Sequence, residues 1–179
     1  ELPKEIGNLI NLTHLYFENT NFEKLPKEIC TLTKLEEFAI DNNKSLKELP
    51  EEIGNLTSLK GLIIEKCYME VIPKEIGNLI NLEYLSLNNT IFKYFPDELC
   101  NLTNLETLSI YNEHLNLTKK QYEWMKTLKK GDIKVPIYPH GLKINIVKNE
   151  YSELWKNMLE GWASMQMKNE DQGDSYTFE

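Results

Sequence analysis

Residues Ile72 to Thr90 read IPKEIGNLINLEYLSLNNT, and four further versions of this stretch surround them. Leu2-Pro3, Leu25-Pro26, Leu49-Pro50, Ile72-Pro73 and Phe95-Pro96 open the five units, at successive intervals of 23, 24, 23 and 23 residues. A fixed period of this length marks a solenoid. One such unit cannot bury its apolar face alone, so neighbouring units stack and share a core.

Seven apolar slots recur in each unit. In the first they are Leu2, Ile6, Leu9, Leu12, Leu15, Phe17 and Phe22; in the fourth they are Ile72, Ile76, Leu79, Leu82, Leu85, Leu87 and Phe92. All 35 slots across the five units are apolar once Leu46 is allowed a one-residue slip in the longer second unit. These slots are the expected core. Leu85-x-Leu87 and its flanks alternate with the period of a strand. Pro73 to Leu79 spaces its apolar residues at i and i+3 behind a proline, which suits a first helical turn and would break a ladder. The spacing therefore predicts a short helix or 3₁₀ turn on the convex side of each coil and a parallel sheet lining the concave side. The extra residue of the second unit is expected to bulge near Lys44-Ser45.

The LPxEIxNLxNLxxLxLxxN units resemble those of the Ras-group and bacterial leucine-rich-repeat proteins, over residues 1 to about 117. The resemblance implies an α/β horseshoe that binds other proteins, without enzymatic activity in the repeats. It does not carry a partner over, because members share the scaffold while their partners differ.

Strand residues between the buried ones point to the concave side. These are His14, Tyr16, Glu18, Glu37, Ala39, Asp41, Gly61, Ile63, Glu65, Tyr84, Ser86, Asn88, Thr107, Ser109 and Tyr111, none of them Lys or Arg. Glu18, Asp41 and Glu65 fall in one column, with Glu37 beside them. Like charges on adjacent strands repel, and a Lys- or Arg-rich segment would relieve that repulsion. Tyrosine is enriched at interface cores. The expected partner-binding residues are His14, Tyr16, Glu18, Glu37, Asp41, Ile63, Glu65, Tyr84, Asn88 and Tyr111, and the expected occupant is a protein with a basic segment.

The net charge of -8 argues against nucleic acid, which requires a basic surface. No apolar run approaches a membrane span. No secretory signal is visible, and Glu1 falls in mid-pattern, so the compartment stays open with the cytoplasm as default. Cys30 and Cys100 share a slot three coils apart, about 15 Å by strand spacing and beyond disulfide reach. Cys67 follows its strand, where other units carry Thr20, Asn43 and Thr90. No metal-ligand spacing or cofactor motif occurs, and a cation between Glu18, Asp41 and Glu65 lacks a supporting loop motif. Asn11-Leu12-Thr13, Asn55-Leu56-Thr57 and Asn101-Leu102-Thr103 match the glycosylation triplet but are copies of one repeat segment. His14, His114 and His140 share no catalytic motif with Cys or Ser, so no enzyme is expected.

Beyond residue 117, Thr118-Lys119-Lys120-Gln121 fits a capping box and Gly131 a helix stop. That helix would seal the open end of the last coil, and residues 118–147 are expected to form a cap completed by a small hairpin, an edge strand at 133–137 joined by a turn at 138–141 to an alternating segment at 142–146. Tyr151, Leu154, Trp155, Met158, Leu159, Trp162 and Met165 space one apolar stripe along a helix within 148–168. It either docks on the chain itself or, through Tyr151, Trp155, Met158 and Trp162, makes a homo-oligomer. Residues 169–179 are polar and expected to be disordered. Self-assembly through this helix or the open edge strand is one alternative to partner binding; a sensor module of a larger signalling protein is another.

Overall fold

The computed structural model of the chain describes residues 2–112 and 115–128. The expected edge strand, hairpin, Trp/Met helix and polar tail lie outside them. Among the described residues, a 3₁₀ turn followed by a strand occurs five times, and one α-helix closes the series. The strands are β1 (His14–Glu18), β2 (Glu37–Asp41), β3 (Gly61–Glu65), β4 (Tyr84–Ser86) and β5 (Thr107–Ser109). They form one parallel sheet in chain order. His14 pairs with Glu37, Glu37 with Gly61, Gly61 with Tyr84 and Tyr84 with Thr107, so these five share one column.

Each opening proline precedes a 3₁₀ turn and supplies its first acceptor. The Ile76 N–H donates to the Pro73 carbonyl at 3.1 Å and the Leu79 N–H to the Ile76 carbonyl at 3.1 Å, and the other four coils repeat this pattern. Side chains at i and i+3 eclipse in a 3₁₀ turn, so Ile76 and Leu79 both point inward. They are fully buried, as are Leu82, Leu85 and Leu87. The slots of coils two to five are buried apart from Leu115, which is half-buried. The first coil departs from this: Leu2, Ile6, Leu12, Leu15, Phe17 and Phe22 are only half-buried and Leu9 is 50% exposed.

The turn segments of neighbouring coils approach closely at their glycines. A Cβ added to Gly77 would stand 2.3 Å from the Glu98 carbonyl oxygen of the next coil, and at Gly54 it would stand 2.8 Å from the Glu75 oxygen. Cys30 and Cys100 occupy this same position in their coils. All three cysteines are free thiols. Burial, and secondarily Glu52, pushes the Cys30 thiol up to about 12.

Chain reversal after β1, β2, β3 and the fourth strand uses one residue in the left-handed region: Asn19, Asn42, Lys66 and Asn89, with φ between 51° and 54°. Asparagine adopts this conformation more readily than other side chains, so Lys66 is the exception. In the longer second coil the extra residue wraps a buried polar group. Asn43 Oδ1 accepts from the Ser45 and Leu46 N–H groups at 3.1 and 3.2 Å, leaving Lys44 exposed.

The helix α1 (Lys119–Thr127) starts at the expected capping box. Thr118 Oγ1 accepts from the Gln121 N–H at 3.2 Å, and the Thr118 N–H donates to Gln121 Oε1 at 3.0 Å. Gln121 also ties α1 to the fifth coil, donating to the Phe95 carbonyl and Asp97 Oδ1, both at 3.0 Å. Met125 and Leu128 are buried. The helix ends at Thr127, with Leu128 as its C-cap, before the Gly131 at which the sequence places a stop.

Candidate functional site: the concave sheet face

Parallel pairing in register fixes what the concave face presents. Tyr16 pairs with Ala39 and Ala39 with Ile63, while Glu18 pairs with Asp41 and Asp41 with Glu65. The predicted carboxylate column therefore exists. His14, Tyr16, Glu18, Glu37 and Tyr84 are exposed, and Asp41, Ile63, Glu65, Asn88 and Tyr111 are half-buried.

The column is not simply waiting for outside cations. Lys66 Nζ lies 3.1 Å from both carboxylate oxygens of Asp41, reaching back one coil from its left-handed turn. Asp41 first, then Glu65 and Glu18, raise the Lys66 pKa. Glu65 accepts hydrogen bonds from the Ser86 hydroxyl and, at 2.9 Å, from Asn88 Nδ2. Asn88 in turn donates to Ser109 Oγ at 3.0 Å. The sequence reading placed Ser86 and Ser109 on the open face; the structure buries both, because this network closes over them. Asn88 and Tyr111 fall past the ends of the short β4 and β5.

A hollow of 270 Å³ opens over Gly61, lined among others by Tyr16, Glu37, Ile63, Glu83 and Tyr84. It exists because Gly61 has no side chain between Glu37 and Tyr84 in the shared column. A Cβ there would meet only Glu37 Cγ, at 3.5 Å. The Tyr16 hydroxyl donates to Glu37 Oε2, and this bond raises the tyrosine pKa. Lys60, also at the hollow, pairs with Glu36 at 2.7 Å; their hydrogen bond raises the lysine pKa and lowers that of Glu36. The missed residues are thus Lys60 and Lys66, which stand just outside the strands, and Glu83. Lys66 carried a readable signal, since it stands where the four other units have Asn19, Asn42, Asn89 and Asn112.

Among the described residues no group of three or more His, Cys, Asp or Glu side chains could hold a metal ion. Among the same residues no helix is long and apolar enough to cross a membrane.

The Leucine Rich Repeat family model matches residues 11–32, one coil of the series. No protein of curated function matches the chain. Among solved structures, a leucine-rich-repeat protein of Leptospira interrogans is 35% identical with a TM-score of 0.66, over 74% of this chain and 35% of that one. The leucine-rich-repeat domain of the type III effector XopL is 25% identical with a TM-score of 0.65, over 74% of this chain and 47% of that one. The ectodomain of the plant receptor kinase GASSHO1/SCHENGEN3 from Arabidopsis thaliana, solved with CASPARIAN STRIP INTEGRITY FACTOR 2, shares the fold at 24% identity and a TM-score of 0.58, over 74% of this chain and 16% of that one. The chain therefore spans between about a third and a half of the length of the first two structures. Its repeat period, its in-register sheet and these likenesses agree on one conclusion: this chain is a leucine-rich-repeat protein.

Proposed function

We propose that this chain is a protein-binding module whose concave face takes a basic segment of a partner protein. The hollow over Gly61 is the observation that carries this reading. Its walls, Tyr16, Ile63 and Tyr84, suit the stem of an arginine or lysine, and Glu37 and Glu83 suit the charged head. A cation against a tyrosine ring gains about 0.5–1 kcal/mol at an exposed site, and a bidentate Arg–carboxylate pair adds specificity. Glu18 supplies further exposed negative charge along the same face. Asp41 contributes through exchange: a partner cation displaces Lys66 rather than filling an unoccupied site.

Gly61→Leu fills the hollow, and Glu37→Gln removes its nearest charge. Proteins captured from the native source by wild type should be lost with the double variant, and affinity for a captured partner should fall with added salt. An unchanged set of captured proteins, or salt-independent affinity, would rule out this site.

A further inference from the structure

Two outward slots on the flank between each strand and the next turn change character along the solenoid. The first is Asn21, Ser45, Tyr68 and Ile91 in successive coils, and the second is Lys24, Glu48, Val71 and Tyr94. Both are polar in coils one and two and apolar in coils three and four. The apolar members are not turned inward: Tyr68 is 49% exposed, Val71 58%, Ile91 43% and Tyr94 69%. The core needs none of them, because the adjoining inward slots Met69, Ile72, Phe92 and Phe95 are already buried.

Val71, Ile91 and Tyr94 line a groove of 760 Å³ on this flank. Glu48, Glu51, Glu70 and Glu75 stand around it against only Lys74 and Lys93, so its rim is acidic. Glu70 is held by Lys47 at 3.0 Å. An exposed apolar cluster edged by mainly acidic charge is the signature of a docking surface rather than of scattered surface hydrophobes. We propose that this flank is a second protein-docking site, distinct from the concave face, and that its occupant is a peptide segment with one or two large apolar side chains flanked by Lys or Arg. The apolar side chains seat against Val71, Ile91 and Tyr94, and the flanking cations face Glu48, Glu51 and Glu75.

The first two coils show that the scaffold accepts charge at the second slot, so Val71→Glu/Tyr94→Lys should fold; a circular-dichroism melt that matches wild type checks this. The probe is a phage-displayed library of random dodecapeptides panned on wild type, with retained peptides synthesised and titrated by fluorescence anisotropy. Retained peptides should carry large apolar residues flanked by Lys or Arg. They should lose at least about tenfold in affinity, roughly 1.4 kcal/mol, for the double variant, while Gly61→Leu leaves their affinity unchanged. The proposal is overturned if no peptide is retained, if retained peptides are acidic or uncharged at the flanks, or if they bind the double variant equally. It is overturned too if sedimentation reveals a dimer of this chain that the double variant abolishes, since the groove is then a contact between copies.

Discussion

Gly77→Ala and Gly61→Ala add the same methyl group to two glycines of neighbouring coils, and the surroundings give the two changes opposite signs. At Gly77 the new carbon would lie 2.3 Å from the Glu98 carbonyl oxygen and 2.7 Å from both its carbonyl carbon and its Cβ. Comfortable carbon contacts begin near 3.5 Å, so the two turns must separate by about 1 Å, and mostly backbone stands in the way. Overpacking of this kind costs about 1–3 kcal/mol, here near the upper end. Loss of unfolded-chain entropy returns about 0.4–1 kcal/mol, leaving a net destabilisation of about 2 kcal/mol. At Gly61 the backbone is outside the left-handed region and the new carbon meets Glu37 Cγ at 3.5 Å. Only the entropic gain remains, a stabilisation of about 0.4–1 kcal/mol. Urea unfolding followed by far-UV circular dichroism measures both. With a slope of about 2 kcal/mol per molar urea, Gly77→Ala should lower the midpoint by about 1 M and Gly61→Ala should raise it slightly. A Gly77→Ala midpoint equal to wild type would refute the tight turn packing at Gly77, and a Gly61→Ala midpoint below wild type would refute the open space over Gly61.

Three further outcomes follow from the same structure. Asn43→Ala removes the acceptor for the half-buried Ser45 and buried Leu46 N–H groups and should cost about 1–3 kcal/mol in the same urea assay; a loss under a few tenths would mean water replaces the side chain. Iodoacetamide at pH 8 should label half-exposed Cys100 first and spare Cys30 and Cys67 until urea is added, because burial raises all three thiols and leaves Cys100 the most accessible; peptide mass spectrometry would expose equal native rates as a contradiction. Glu36 is held below its ordinary value of 4.5 by Lys60, so its stabilisation is present above that value and is lost as pH falls through the lowered one. Wild type and Glu36→Gln should therefore differ at pH 7 and converge in acid, which thermal melts at pH 7 and pH 3 compare directly; a gap that persists at pH 3 would show that the pair is not the cause.

The sequence carried the repeat because the physics of a coil is local. Proline before Ile76 starts a 3₁₀ turn, three-residue spacing aligns Ile76, Leu79 and Leu82, and two-residue spacing turns Leu85 and Leu87 inward. Stacking then follows from identical coils, and the column from His14 to Thr107 with it. The site was only partly legible. Identities of the concave residues could be read, but not that Lys66 folds back onto Asp41, since the reach of a side chain from a turn is not a matter of period. Glu65 looked like a free carboxylate until Ser86 and Asn88 were seen to satisfy it.

The flank cluster of Val71, Ile91 and Tyr94 falls between these cases. Its residues are visible as departures within slots that are polar in coils one and two, yet their joining into one groove depends on how the third and fourth coils stack.

By itself the sequence determined the period, the core of coils two to five and the side of each strand that faces the concave surface, because these depend on spacing within one unit. Tertiary structure alone decided which carboxylates stay open and where Gly61 leaves a hollow. Those features arise between side chains about 23 residues apart in sequence that become neighbours only when the coils stack.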